Sequence, residues 1–145
     1  MQEFSSGRRR ALAALTACAI AYVLPAYAQD PRASEAHLAA VDWLKLADAN
    51  DAKATYDAAA KRFHDTMPLD QWTIASKQAR EQFGAVETRT LLTTQPPKPG
   101  ADVPPGEFLI IIFRTEFTKR KTGTETLTLE RESDGKWRVV GYLMR

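Results

Sequence analysis

One cysteine, Cys18, and two histidines, His37 and His64, are all the thiol and imidazole side chains in this 145-residue chain. Cys18 sits ahead of the first helical patterning, so removing a leader would leave no disulfide, no thiolate nucleophile and no cysteine-bound metal. The fold must then be held by its apolar core alone. GxSxG, HExxH, GxGxxG and GxxxxGK[ST] are all missing, which takes support from hydrolase, zinc and nucleotide readings, so no cofactor and no metal are expected. The nearest approach to a metal set, His64-Asp65 with Asp70, is interrupted by Pro68 and reads as a solvated helix end. A charge excess is also lacking. Twenty basic residues less Arg8, Arg9 and Arg10 leave 17 beyond residue 28, and eighteen acidic residues less Glu3 leave 17. That balance argues against nucleic acid as a partner, because nucleic-acid binders carry a basic excess on one face.

What is present begins with Arg8-Arg9-Arg10, the apolar run Ala11–Leu24, Pro25 and the small-x-small triplet Ala26-Tyr27-Ala28. This is the order of a secretory signal peptide over residues 1–28, with cleavage between Ala28 and Gln29. The run is shorter than the ~20 residues a helix needs to span a bilayer, so no transmembrane span is expected in the mature form. Leu15-Thr16-Ala17-Cys18 resembles a lipobox, and a lipoprotein anchored at Cys18 is the alternative. Cutting there would leave AIAYVLPAYA as an apolar strap with no evident purpose, which favours a periplasmic or secreted protein without the cysteine.

A single α+β domain is expected over residues 34–145. Ser34 suits an N-cap, and Leu38, Val41 and Leu44 follow at helical spacing, with Ala40, Trp43 and Ala47 widening the stripe. Asn50-Asp51 breaks that helix. A second helix carries Tyr56, Ala59, Ala60 and Phe63, and a third, restarted by Pro68, carries Leu69, Trp72, Ala79 and Phe83 and stops at Gly84. The period then becomes strand-like over Ala85–Thr94, Glu107–Phe117, Thr124–Glu132 and Trp137–Arg145. Five prolines separate the first two strands, and Asp134-Gly135 marks a hairpin before the last. Three helices packed on a curved antiparallel sheet of about four strands is the expected plan. The second strand is apolar on both faces from Phe108 to Phe113, so its second face needs a cover. A homodimer through the sheet is the simplest one, and strong curvature within one chain is the other.

No catalytic residue set assembles from these motifs. The aromatics Trp43, Tyr56, Phe63 and Trp72 stand at core spacing and could equally line a pocket. Arg89 and Arg114 each interrupt an apolar strand. An inward arginine must be paired, with Glu116, Glu125 or Glu87 as partners, and could hold an anionic ligand; an outward one makes an ordinary cross-strand salt bridge. Lys119-Arg120-Lys121 reads as a solvated turn.

The stretches AAVDWLKLADANDAKATYDAAAKRF, QW with the following AREQFGAVETRTL, EFLIIIFRTEFTKRKTGTETLTLERE and DGKWRVVGY together resemble DUF4019, a family of secreted bacterial domains. The resemblance covers about residues 36–145 and departs from the pattern at Asn50-Asp51, where a glycine is common. It implies a cone-shaped fold similar to cystatin-like and nuclear-transport-factor-two-like domains, and a secreted habit. It implies no reaction and no catalytic residues. The expected function is therefore a non-enzymatic binding or accessory module of the bacterial envelope, whose partner is a small ligand or an envelope protein. The alternative, by analogy of fold with ketosteroid isomerase, is a pocket enzyme of the isomerase or dehydratase type. It would use Tyr56 or Tyr142 as donor and Asp57, Glu116 or Glu125 as base. A cavity between helices and sheet that contains a buried carboxylate within hydrogen-bond reach of Tyr56 or Tyr142 would favour the enzyme, and a solid core with those carboxylates in water would sink it.

Overall fold

A computed structural model describes residues 30–145; the leader over residues 1–28, its cleavage point at Ala28 and Gln29, and Cys18 lie outside the described residues. The chain opens with α1 (Pro31–Asp48), capped by Asp30, whose carboxylate accepts from the Arg32 amide at 2.9 Å. The helix thus starts before Ser34, because a carboxylate cap and a proline in the first turn together satisfy its leading amides. Its buried stripe is Ala36, Ala40, Trp43 and Leu44, while Leu38 is 66% exposed. The stripe is rotated from the expected one, and small residues let the helix approach the large side chains of the sheet.

Among the described residues four helices stand where three were expected. The second segment divides into α2 (Ala52–Asp57) and α3 (Lys61–Thr66), followed by α4 (Leu69–Phe83). The division has a tertiary cause. The Ala60 amide leaves the helical ladder and donates to the Val139 carbonyl at 2.9 Å, and Ala60 is completely buried. Pairing with the sheet replaces one helical hydrogen bond. Gly84 ends α4 with φ +82°, where a Cβ would lie 2.1 Å from Thr118 Oγ1; glycine is required there on both counts.

Strands β1 (Val86–Gln95), β2 (Glu107–Phe117), β3 (Arg120–Arg131) and β4 (Trp137–Met144) form an antiparallel sheet in sequential order. The protein is α+β, with the helices on one face. On that face Leu109, Ile111, Phe113, Leu127, Leu129 and Val139 meet Trp43, Leu44, Phe63 and Trp72 in one core. Register shifts at Leu91/Thr93, Thr115/Phe117 and Thr128/Leu129 mark irregularities that bend and twist the strands. On the other face Ile112 lies between Thr93 and Thr126, and Ile110 between Gln95 and Thr128, all half-buried. The second strand is therefore apolar on both faces only in its middle, and threonines flank it on the outer side. Among the described residues no helix is long and apolar enough to cross a membrane.

Candidate functional site

Alternation along each strand sends one polar side chain per strand into the same inner row. Arg89 stands opposite Thr115 across β1 and β2, Glu125 opposite Phe113, and Tyr142 opposite Leu127, so the four lie on near-diagonal positions of one face. Glu125 is completely buried. Its Oε2 accepts from Arg89 Nε at 2.6 Å and from Thr115 Oγ1 at 2.6 Å. Its Oε1 accepts from Arg89 Nη2 at 3.1 Å and from the Tyr142 hydroxyl. A buried carboxylate is tolerated only when charge and lone pairs are both answered, and here each oxygen receives two donors.

The row is closed from above by α1. Asp48 is the last residue of that helix, where the helix dipole disfavours an anion. Two arginines reverse the balance. Arg89 donates to Asp48 Oδ2 from Nη1 and to Oδ1 from Nη2, both at 2.9 Å. Arg80, from α4, lies 3.6 Å from the same carboxylate and donates to the Ala47 and Gly84 carbonyls at 3.2 and 3.1 Å. The chain Arg80–Asp48–Arg89–Glu125 thus alternates in sign and sums to zero. Burial opposes the charge on Arg89, but its hydrogen bonds to Asp48 and Glu125 outweigh that, holding the guanidinium above its usual value. Burial first, and the Glu125 charge second, push the Tyr142 hydroxyl well above the usual tyrosine range. Tyr142 is a neutral donor at any physiological pH.

Beside this network runs a crevice of about 250 Å³ between α4 and the facing ends of α1, α2 and β4. Its origin lies in the composition of α4. At one end Trp72 is 7% exposed, donates to Thr55 Oγ1 at 2.9 Å and meets Phe63 edge-on at 5.2 Å. Eleven residues on, a rise of about 16 Å along the helix, Phe83 is 4% exposed and packs on Phe117 at 5.1 Å. Between these two anchors the same face carries Ala75, Ser76 and Ala79. Large residues hold the ends down while small ones fail to fill the middle. Tyr142, Leu143 and Met144 of β4 form the opposing wall.

The residues singled out in the sequence part company here. Trp43 and Phe63 are 3% and 5% exposed and fill the core; the Trp43 indole donates to the Thr55 carbonyl at 2.9 Å. Tyr56 is half-buried, edge-on to Phe63 and 4.5 Å from the His64 ring. Trp72 belongs to both the core and the crevice wall, and Arg89 to the network beneath it. Arg114 points out from the opposite face of β2 and is exposed, as is Glu116. His64 Nε2 lies 2.6 Å from the Tyr56 carbonyl, and Lys61 takes the Asp65 carboxylate, which removes both from any shared ligand set. Asp48, Arg80 and Thr115 escaped sequence reasoning. An aspartate on the last turn of a helix was the available signal, since such a residue calls for a nearby cation.

The geometry meets one part of the enzyme criterion and fails the other. Tyr142 does bond a buried carboxylate beside a cavity. Glu125, however, is not among the crevice-lining residues, and the arginine and hydroxyl donors occupy both its oxygens. A base needs a free lone pair within reach of its substrate. Neither the curated proteins nor the solved structures provide a match to the chain. The family model described as protein of unknown function, DUF4019, matches residues 39–142, and the chain belongs to that family.

Proposed function

We propose that this protein is an exported binding module of the bacterial envelope, without catalytic chemistry of its own, whose ligand site is the α4 crevice. One observation carries the reading. The ionisable groups beneath the crevice are saturated by one another, so they build a rigid neutral floor and leave an apolar slot above it. A metabolite screen by thermal shift is expected to give hits that raise the melting temperature of the natural chain and leave Ala79→Leu unmoved. Leucine at this half-buried position adds bulk to the crevice wall and leaves Arg80, Asp48, Arg89 and Glu125 themselves unchanged. Hits that shift both proteins equally would place the ligand elsewhere.

Export and assembly belong to the same proposal. The arginine-led apolar leader supports release into the envelope, and the half-buried Ile110 and Ile112 on the open sheet face support a homodimer there. In a Gram-negative host the exported chain is expected to have an intact mass beginning at Gln29 and to sediment as a dimer at micromolar concentration. A lipid-bearing N-terminus at Cys18 would establish the lipoprotein alternative, and a monomer would remove the dimer.

A further inference from the structure

The crevice also specifies the class of molecule it can hold, granted that it is the binding site. Its walls carry four alanines, Ala75 and Ala79 from α4 and Ala47 and Ala52 from the α1–α2 junction, beside Tyr142, Leu143 and Met144 of β4. Trp72, Phe83 and Tyr142 add ring surfaces. Such walls offer mostly apolar area, with Asn50, Ser76 and Gln82 as the uncharged polar groups among them. A cavity of about 150 Å³ lined by apolar side chains accepts benzene. At about 250 Å³ this one has room for two fused rings.

Charge decides the rest. Arg80 is the cation set deepest into the wall, with its side chain 16% exposed, and its donors go to the Ala47 and Gly84 carbonyls beside Asp48. Asp51 caps α2, accepting from the Ala54 amide at 2.9 Å. Lys77 is 77% exposed, 4.0 Å from Glu81, and free to stay in water. A charged head entering the slot would lose hydration: Arg80 and Asp51 already have partners, Lys77 stays in water, and Asn50, Ser76 and Gln82 of the wall bring no charge to offset that cost. We infer that the crevice binds a small, uncharged, flat molecule of one or two fused rings, and selects against the anionic and cationic forms of the same skeleton.

Three probes of one shape separate the possibilities at pH 7: neutral 2-naphthol, anionic 2-naphthoate and cationic 2-naphthylmethylamine, titrated calorimetrically into the purified chain. Binding of 2-naphthol is expected, with both ions weaker by about tenfold or more. Ala79→Leu is expected to abolish it, and Ala75→Leu, at an exposed position that leaves the fold alone, to weaken it several-fold. If either ion binds as tightly as the naphthol and Ala79→Leu still removes it, the selection against charge is wrong and the crevice remains the site. If naphthol binding survives both leucine variants in folded protein, the crevice reading falls and the ligand class falls with it. If none of the three binds the natural chain, the ligand class is overturned, and the metabolite screen with Ala79→Leu decides the crevice separately.

Discussion

Arg89→Met is expected to destabilise the protein by about 3–5 kcal/mol, because it leaves a buried carboxylate without its cation. Glu125 is wholly enclosed and the Arg89 side chain only 17% exposed, so solvent cannot take over the lost pairing. The same change strips Asp48 of two hydrogen bonds at the unfavourable end of α1. For a domain of this size the cost corresponds to a drop of roughly 10–20 °C in melting temperature. Chemical denaturation of Arg89→Met, Glu125→Leu and the double variant is the informative set. The double variant is expected to recover part of the loss, since removing both partners costs less than stranding one. A loss of under about 1 kcal/mol for Arg89→Met would put the pair in the class of exposed ion pairs and refute the buried network.

Trp72→Ala is expected to cost about 3–5 kcal/mol, as do other truncations of large buried aromatics. Its effect should concentrate in α4, because Trp72 ties that helix to α2 through Thr55 and Ala52, at 2.9 and 3.2 Å, and to Phe63 and Trp43 through ring contacts. Amide exchange along Leu69–Phe83 should accelerate far more than exchange in β2 and β3. Trp72→Phe keeps an aromatic ring but removes the indole donor and part of the buried bicycle, so a loss of about 2 kcal/mol, smaller than that of Trp72→Ala, is expected. Uniform acceleration across helix and sheet in Trp72→Ala would mean that Trp72 supports the whole core and does not act as an anchor of α4. The crevice would then need another origin.

Much of the architecture was legible from local chemistry. Pro68 and Gly84 bracket α4 because one suits the start of a helix and the other can adopt φ +82° at its end. The alternation of Thr126, Leu127, Thr128 and Leu129 showed which face of β3 is buried, and the burial follows it. Two features escaped. The division of the second helix depends on one amide finding the Val139 carbonyl, a partner 79 positions away that no local propensity encodes. The rotation of the α1 stripe away from Leu38 depends on how closely the helix approaches Phe113 and Ile111, which hydrophobic periodicity cannot measure.

The site divides along the same line. Arg89 was recognisable as an arginine inside an apolar strand that must be paired if it turned inward, and Glu125 was among its candidate partners. Composition balanced the charge beyond residue 28, which argues against a nucleic-acid partner, and the order of apolar and turn residues determined helices on an antiparallel sheet. Only the tertiary structure decided that Arg89 is inward and Arg114 outward, that Asp48 and Arg80 complete a neutral chain, and that Ala75 and Ala79 border a crevice. The physical reason is range. Capping, turn geometry and periodicity act within a few residues and can be read from the chain, whereas charge pairing and cavity shape depend on residues brought together from α1, α4 and four strands.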